Sequence, residues 1–89
     1  MLRIDVEHAG GECLVVLHGW LAGEEVGVFE TSCASCNLPI RVDLVNLAGA
    51  DTRGLAALHA QRERGACITG ASPYIALLLE GAVGAAGGN

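Results

Sequence analysis

Polar and apolar residues alternate at the start of the chain, where Leu2, Ile4, Val6 and His8 are interleaved with Arg3, Asp5 and Glu7. A period of two is that of a half-buried β-strand, and the charged outer positions suit a sheet edge. Gly10-Gly11 then turns the chain. The run from Cys13 to Leu17 is continuously apolar, as expected of a strand covered on both faces. So short a glycine turn makes it the antiparallel partner of the first strand. After Gly23 the pattern lengthens: Val26, Phe29 and Cys33 share one face between Glu24 and about Ser35, with two acids in the first turn. This predicts a short helix, ended by Asn37 and Pro39, and Ile40-Arg41-Val42-Asp43-Leu44 alternates again as a third strand.

From Thr52 to Arg64, Leu55, Leu58, His59 and Arg62 mark one face of a second helix, with Gly65 as its stop. Ala66 to Thr69 is short and β-compatible, and Ser72-Pro73 pairs a capping side chain with a proline at the first turn. The helix so begun is expected to run through Tyr74–Glu80 and stop at Gly81, and 84–89 reads as a flexible tail on a domain spanning 1–83. The order is ββαβαβα, an α/β fold with a small, mostly parallel sheet and an N-terminal hairpin. Right-handed crossovers running in one direction put all helices on one face. The other face is then short of cover, to be met by a second copy (a homodimer), by another protein, or left as a twisted sheet with a few exposed valines.

Composition narrows what such a domain can do. Its 89 residues suit one domain, and an apolar half built from Ala, Val and Leu with one Trp, one Tyr and one Phe suits thin helix-on-sheet layers rather than a roomy cleft. The net charge is −5, with five scattered Arg and no Lys, so no basic face exists for nucleic acid or anionic lipid. No run reaches the roughly 18 apolar residues of a membrane span, and Arg3, Asp5 and Glu7 interrupt any signal-peptide core, which points to a cytoplasmic protein. Four cysteines without an export signal read as reduced thiols.

Candidate chemistry concentrates where Val42–Ala50 runs into Asp51-Thr52-Arg53-Gly54-Leu55, an apolar strand leading into a helix start. Asp51 or Thr52 can cap the new helix, which places the Thr52 hydroxyl near unpaired N–H groups and the positive end of the helix dipole. Taken alone, Thr52 is a cap contributing about 1 kcal/mol. Arg53 opposes the dipole in the first turn, and Gly54 costs up to about 1 kcal/mol there relative to alanine. Something therefore approaches the backbone closely at Gly54, either internal packing or a partner.

Cys33-Ala34-Ser35-Cys36 has the spacing of a redox or metal pair but is only half a zinc site, and it lies at a helix end, where the dipole disfavours thiolate. His8, His18 and His59 are dispersed and suggest no triad. Trp20 is a contact residue or a lid on the small core. Gly10-Gly11 lacks the strand–turn–helix setting of a phosphate loop.

The element order, the junction Asp51-Thr52-Arg53-Gly54-Leu55 and the later Gly70-Ala71-Ser72-Pro73 together resemble the STAS family, over roughly residues 2 to 81. That domain is shared by sulfate transporters and anti-sigma factor antagonists. In the family the junction reads Asp-Ser-x-Gly-Leu or Asp-Thr-x-Gly-Leu, and in the antagonists the hydroxyl residue is phosphorylated, a position that Thr52 occupies here. The family's Gly-x-Leu-Asp after the second strand is represented by Gly19-Trp20-Leu21-Ala22, without the acid, and the chain resembles a truncated form of the fold.

The resemblance implies a non-enzymatic regulatory domain without cofactor or metal. It would dock through Asp51, Thr52, Arg53, Gly54 and Leu55, with an anti-sigma factor kinase as partner and phosphorylation of Thr52 ending the contact. The chain is also similar to the small STAS subunit of lipid-trafficking ABC transporters, which implies an ATPase partner at the same helix end. A thiol or metal protein built on Cys33 and Cys36 is the third reading.

Overall fold

In the computed structural model, residues 1–87 are described for the backbone and 1–80 for side-chain surroundings. The elements are β1 (Leu2–Ala9), β2 (Glu12–Leu21), α1 (Glu25–Ala34), β3 (Ile40–Ala50), α2 (Thr52–Glu63), β4 (Cys67–Thr69) and α3 (Pro73–Gly87). The sheet order is β1-β2-β3-β4. β1 and β2 are antiparallel, from Leu2 opposite Gly19 to Ala9 opposite Glu12. Gly10 and Gly11 turn between them with φ of 60° and 79°, the two positive values that a tight hairpin turn requires. β3 lies parallel to β2 and β4 parallel to β3, so each return passes through a helix.

One face of the sheet carries the core. Val15, Leu17 and Leu21 of β2 and Val42, Leu44 and Leu47 of β3 are buried beneath Val26, Phe29 and Cys33 of α1, Leu55, Ala57 and Leu58 of α2, and Ile75 and Leu79 of α3. Alternation turns Leu14 and Val16 to the other face, where they are half-buried. β2 is therefore not covered on both faces as its apolar run suggested. The cover is one-sided.

Two strands also run further than their patterns indicate. β2 continues to Leu21 and β3 to Ala50, through register shifts between Val16 and His18 and between Gly19 and Trp20. A bulge inserts a residue into one strand and breaks the period of two, so alternation stops being readable where pairing continues. α3 starts as expected, with the Ile75 N–H donating to Ser72 Oγ at 3.2 Å and Pro73 in the first turn. It passes the expected stop at Gly81 and reaches Gly87, and the remainder of the tail read over 84–89 lies outside the described residues. Among the described residues no helix is long and apolar enough to cross a membrane.

Candidate docking edge at the start of the second long helix

β3 delivers the chain to α2 at the C-terminal end of the parallel strands, and Asp51 holds the junction. Its N–H donates to the Leu21 carbonyl at 3.1 Å, and its own carbonyl accepts the Leu55 N–H at 2.9 Å. The side chain is the N-cap: Oδ1 accepts the Gly54 N–H at 2.7 Å. The other oxygen, Oδ2, accepts the Gly23 N–H at 3.0 Å, which ties the loop after β2 to the start of α2. The Gly23 and Gly54 N–H groups together hold the Asp51 carboxyl below its ordinary range, assisted by the nearby Arg53 charge.

This settles which residue caps. Asp51 does, and Thr52 is the first helical residue, exposed beside the exposed Arg53. Gly54 and Leu55 are buried. A Cβ on Gly54 would run into the Leu21 carbonyl oxygen, so the close approach inferred from this glycine is internal packing. Asp51, Thr52 and Arg53 thus face outward, while Gly54 and Leu55 fix the helix against β2 from beneath.

Two links at this end were not read from the sequence. The Gly23 loop is bound to Asp51 from 28 positions away, a link that no local pattern carries. Trp20 pairs with Gly49 across β2 and β3, and its ring lies against Gly49, so the large aromatic fits only because its neighbour has no side chain. Leu21 is fully buried on the helix side, so alternation places Trp20 on the opposite, helix-free face, 52% exposed. It covers backbone at the α2 end of the sheet rather than the helix-side core.

The other sequence candidates lie elsewhere. Cys33 and Cys36 sit at the far end of the sheet, beside a depression of about 400 Å³ that they line with Leu38 and Arg64. Cys13 joins them from the start of β2, the Cys36 Sγ lies 3.6 Å from the Ser32 carbonyl oxygen, and all three cysteines are free thiols. Burial pushes the Cys33 and Cys36 thiols up to about 11, reinforced by the proximity of Cys13 and, at Cys33, by repulsion from neighbouring thiolate charge. That is the opposite of thiolate activation. Among the described residues no group of three or more His, Cys, Asp or Glu side chains is placed to hold a metal ion.

His18 finds a carboxylate through pairing rather than through sequence neighbours, with Nε2 3.0 Å from Asp5 Oδ2 on β1. His59 lies 3.9 Å from Glu63 one helical turn away, and His8 is exposed.

A hairpin leading into a mixed sheet with helices on one face, in the order ββαβαβα, is a STAS-like fold. The fold is similar to that of several solved structures. The anti-sigma factor antagonist SpoIIAA in its unphosphorylated form is similar with a TM-score of 0.69 and 12% identity, over 88% of this chain and 82% of that one. An uncharacterized protein of the DUF3478 family from Shewanella loihica, described as having a SpoIIAA-like fold, is similar with a TM-score of 0.50 and 14% identity, over 92% and 76%. A structure of Mglu is similar with a TM-score of 0.64 and 14% identity; 78% of this chain corresponds to 19% of that one. No protein-family model matches the sequence, and no curated protein matches it.

Proposed function

We propose that this chain is a non-catalytic docking domain of the anti-sigma factor antagonist kind, whose working surface is the exposed start of α2. The carrying observation is the division of labour at Asp51-Thr52. Because Asp51 uses both carboxylate oxygens to cap α2 and to hold the Gly23 loop, the Thr52 hydroxyl is left exposed at a rigid helix start rather than consumed as a cap. A SpoIIAA-like fold supports the reading at the level of architecture.

The chemistry follows from charge. Phosphorylation of Thr52 adds about −1.5 to −2 charge beside the Asp51 carboxylate, on a chain already at −5. The helix dipole and Arg53 accommodate that charge within the domain, while an acidic or closely fitted partner surface is repelled. Docking in the unmodified state and release after modification follow, with an anti-sigma factor that is also a serine/threonine kinase as the partner.

The test is incubation with the host's anti-sigma kinase and ATP, read by intact mass. One added phosphate that Thr52→Ala abolishes is the expected result. An unmodified wild-type chain that still binds the kinase would remove the switch and keep the docking edge. Failure of both would remove the reading.

A further inference from the structure

β1 lies at one edge of the sheet, and its free side is built for pairing. Met1 O accepts the Trp20 N–H at 3.0 Å, so backbone alternation turns the N–H and C=O groups of Arg3, Asp5 and Glu7 toward β2 and those of Leu2, Ile4 and Val6 away from it. Glu25 Oε2 takes the Leu2 N–H at 2.8 Å. The Ile4 and Val6 N–H groups and three carbonyls still point off the edge. Alongside runs a groove of about 270 Å³ lined by Leu2, Ile4, Val6, Glu25, Val28 and Ser32. Val6 is 40% exposed and Val28 56% exposed, and the edge carries no bulge or proline.

We propose that β1 pairs antiparallel with β1 of a second copy across a two-fold axis at Ile4, joining two four-stranded sheets into one of eight strands. The charge pattern selects this occupant and this register. An axis at Ile4 sets Arg3 opposite Asp5 of the second copy on the helix-free face, twice by symmetry, and Leu2 opposite Val6 on the helix side. Moving the axis to Asp5 would oppose two carboxylates, and moving it to Arg3 would oppose two guanidinium groups. Parallel pairing in matched register would put like charges side by side.

At the Ile4 register the outward groups match as well. The two Ile4 residues exchange two hydrogen bonds, and each Leu2 exchanges two with Val6 of the other copy, whose carbonyl replaces Glu25 Oε2 on the Leu2 N–H. The two-fold axis is perpendicular to the sheet, so both helix layers stay on one side. Each Val6–Val28 groove then closes against the other copy.

Sedimentation equilibrium up to about 0.5 mM tests the pairing. Wild type should approach twice the 9.1 kDa chain mass. Val6→Pro removes an N–H that faces off the edge, so the circular dichroism should be kept and the dimer lost. Arg3→Asp should weaken association about tenfold or more, and Arg3→Asp combined with Asp5→Arg should restore it to within about threefold. Register is read by Ile4→Cys in a Cys67→Ser background, which should cross-link to itself under diamide, whereas Val6→Cys should not. A chain that stays monomeric throughout overturns the proposal. So does a dimer indifferent to Arg3→Asp and to its charge-swapped rescue, and those variants carry the test if Val6→Pro fails to fold.

Discussion

Asp51 is the residue on which the proposed docking edge depends, and its protonation gives that dependence a sign. Its carboxyl is depressed below the usual 3.8 in the folded state by the Gly23 and Gly54 N–H groups. The stabilisation is therefore fully present above pH 4 and is lost as pH falls through the lower folded value. Asp51→Asn retains an acceptor for capping but not the charge, so the difference in thermal midpoint between wild type and variant should be widest near neutrality and shrink below about pH 4. A difference that stays constant from pH 7 to pH 2 would show that the carboxylate charge contributes nothing. The thiols make the opposite case, in which environment silences a residue. With Cys33 and Cys36 pushed up to about 11 and Cys13 fully buried, a disulfide reagent at pH 8 should titrate the exposed Cys67 quickly and the other three only on unfolding. Two or more fast thiols in the native chain would reopen a redox role for Cys33 and Cys36.

Glycines in α1 and α2 separate element propensity from tertiary packing. Gly27 on α1 has open space where a Cβ would stand, so Gly27→Ala should stabilise by up to about 1 kcal/mol through helix propensity. Gly54 on α2 would gain the same propensity, but its new methyl would meet the Leu21 carbonyl; overpacking of about 1–3 kcal/mol outweighs the gain. Gly54→Ala should therefore lower the urea midpoint while Gly27→Ala raises it, and a rise for both would mean that β2 yields easily at Leu21. The same contrast marks what was legible in the chain. Leu2-Ile4-Val6 alternation, Ser72-Pro73 and the turn at Gly10-Gly11 are local signals, and the elements they indicate are present. The close approach at Gly54 was equally legible, but its source, a carbonyl 33 positions earlier, was not, because it depends on how β2 packs on α2. The Asp51–Gly23 link and the arrival of Cys13 beside Cys36 are hidden for the same reason. Alternation failed where bulges carry β2 and β3 onward to Leu21 and Ala50, and a glycine at position 81 did not stop α3.

Over the whole molecule, helices on only one face leave a single apolar layer to stabilise the fold, and Phe29 is the largest fully buried side chain in it. A chain of this length has roughly 4–13 kcal/mol of stability at typical values per residue. Truncating a buried phenylalanine to alanine costs about 3–5 kcal/mol, a large share of that range. The loss would not stay local. Phe29 anchors α1, whose Glu25 holds the Leu2 N–H at the β1 edge, and the loop entering α1 supplies the Gly23 N–H that binds Asp51. Phe29→Ala should therefore lower the urea midpoint steeply and loosen both the Thr52 end and the β1 edge. Phe29→Leu, which keeps most of the volume, should cost about 1–1.5 kcal/mol and leave both surfaces formed. Amide exchange at Gly23, Gly54 and Leu2 reads the coupling directly, because each of these N–H groups donates to a named carboxylate. Faster exchange at all three in Phe29→Ala is expected. Unchanged exchange at Gly23 and Leu2 would mean that α1 holds its position without its aromatic anchor, and that the two surfaces are stabilised independently of the core between them.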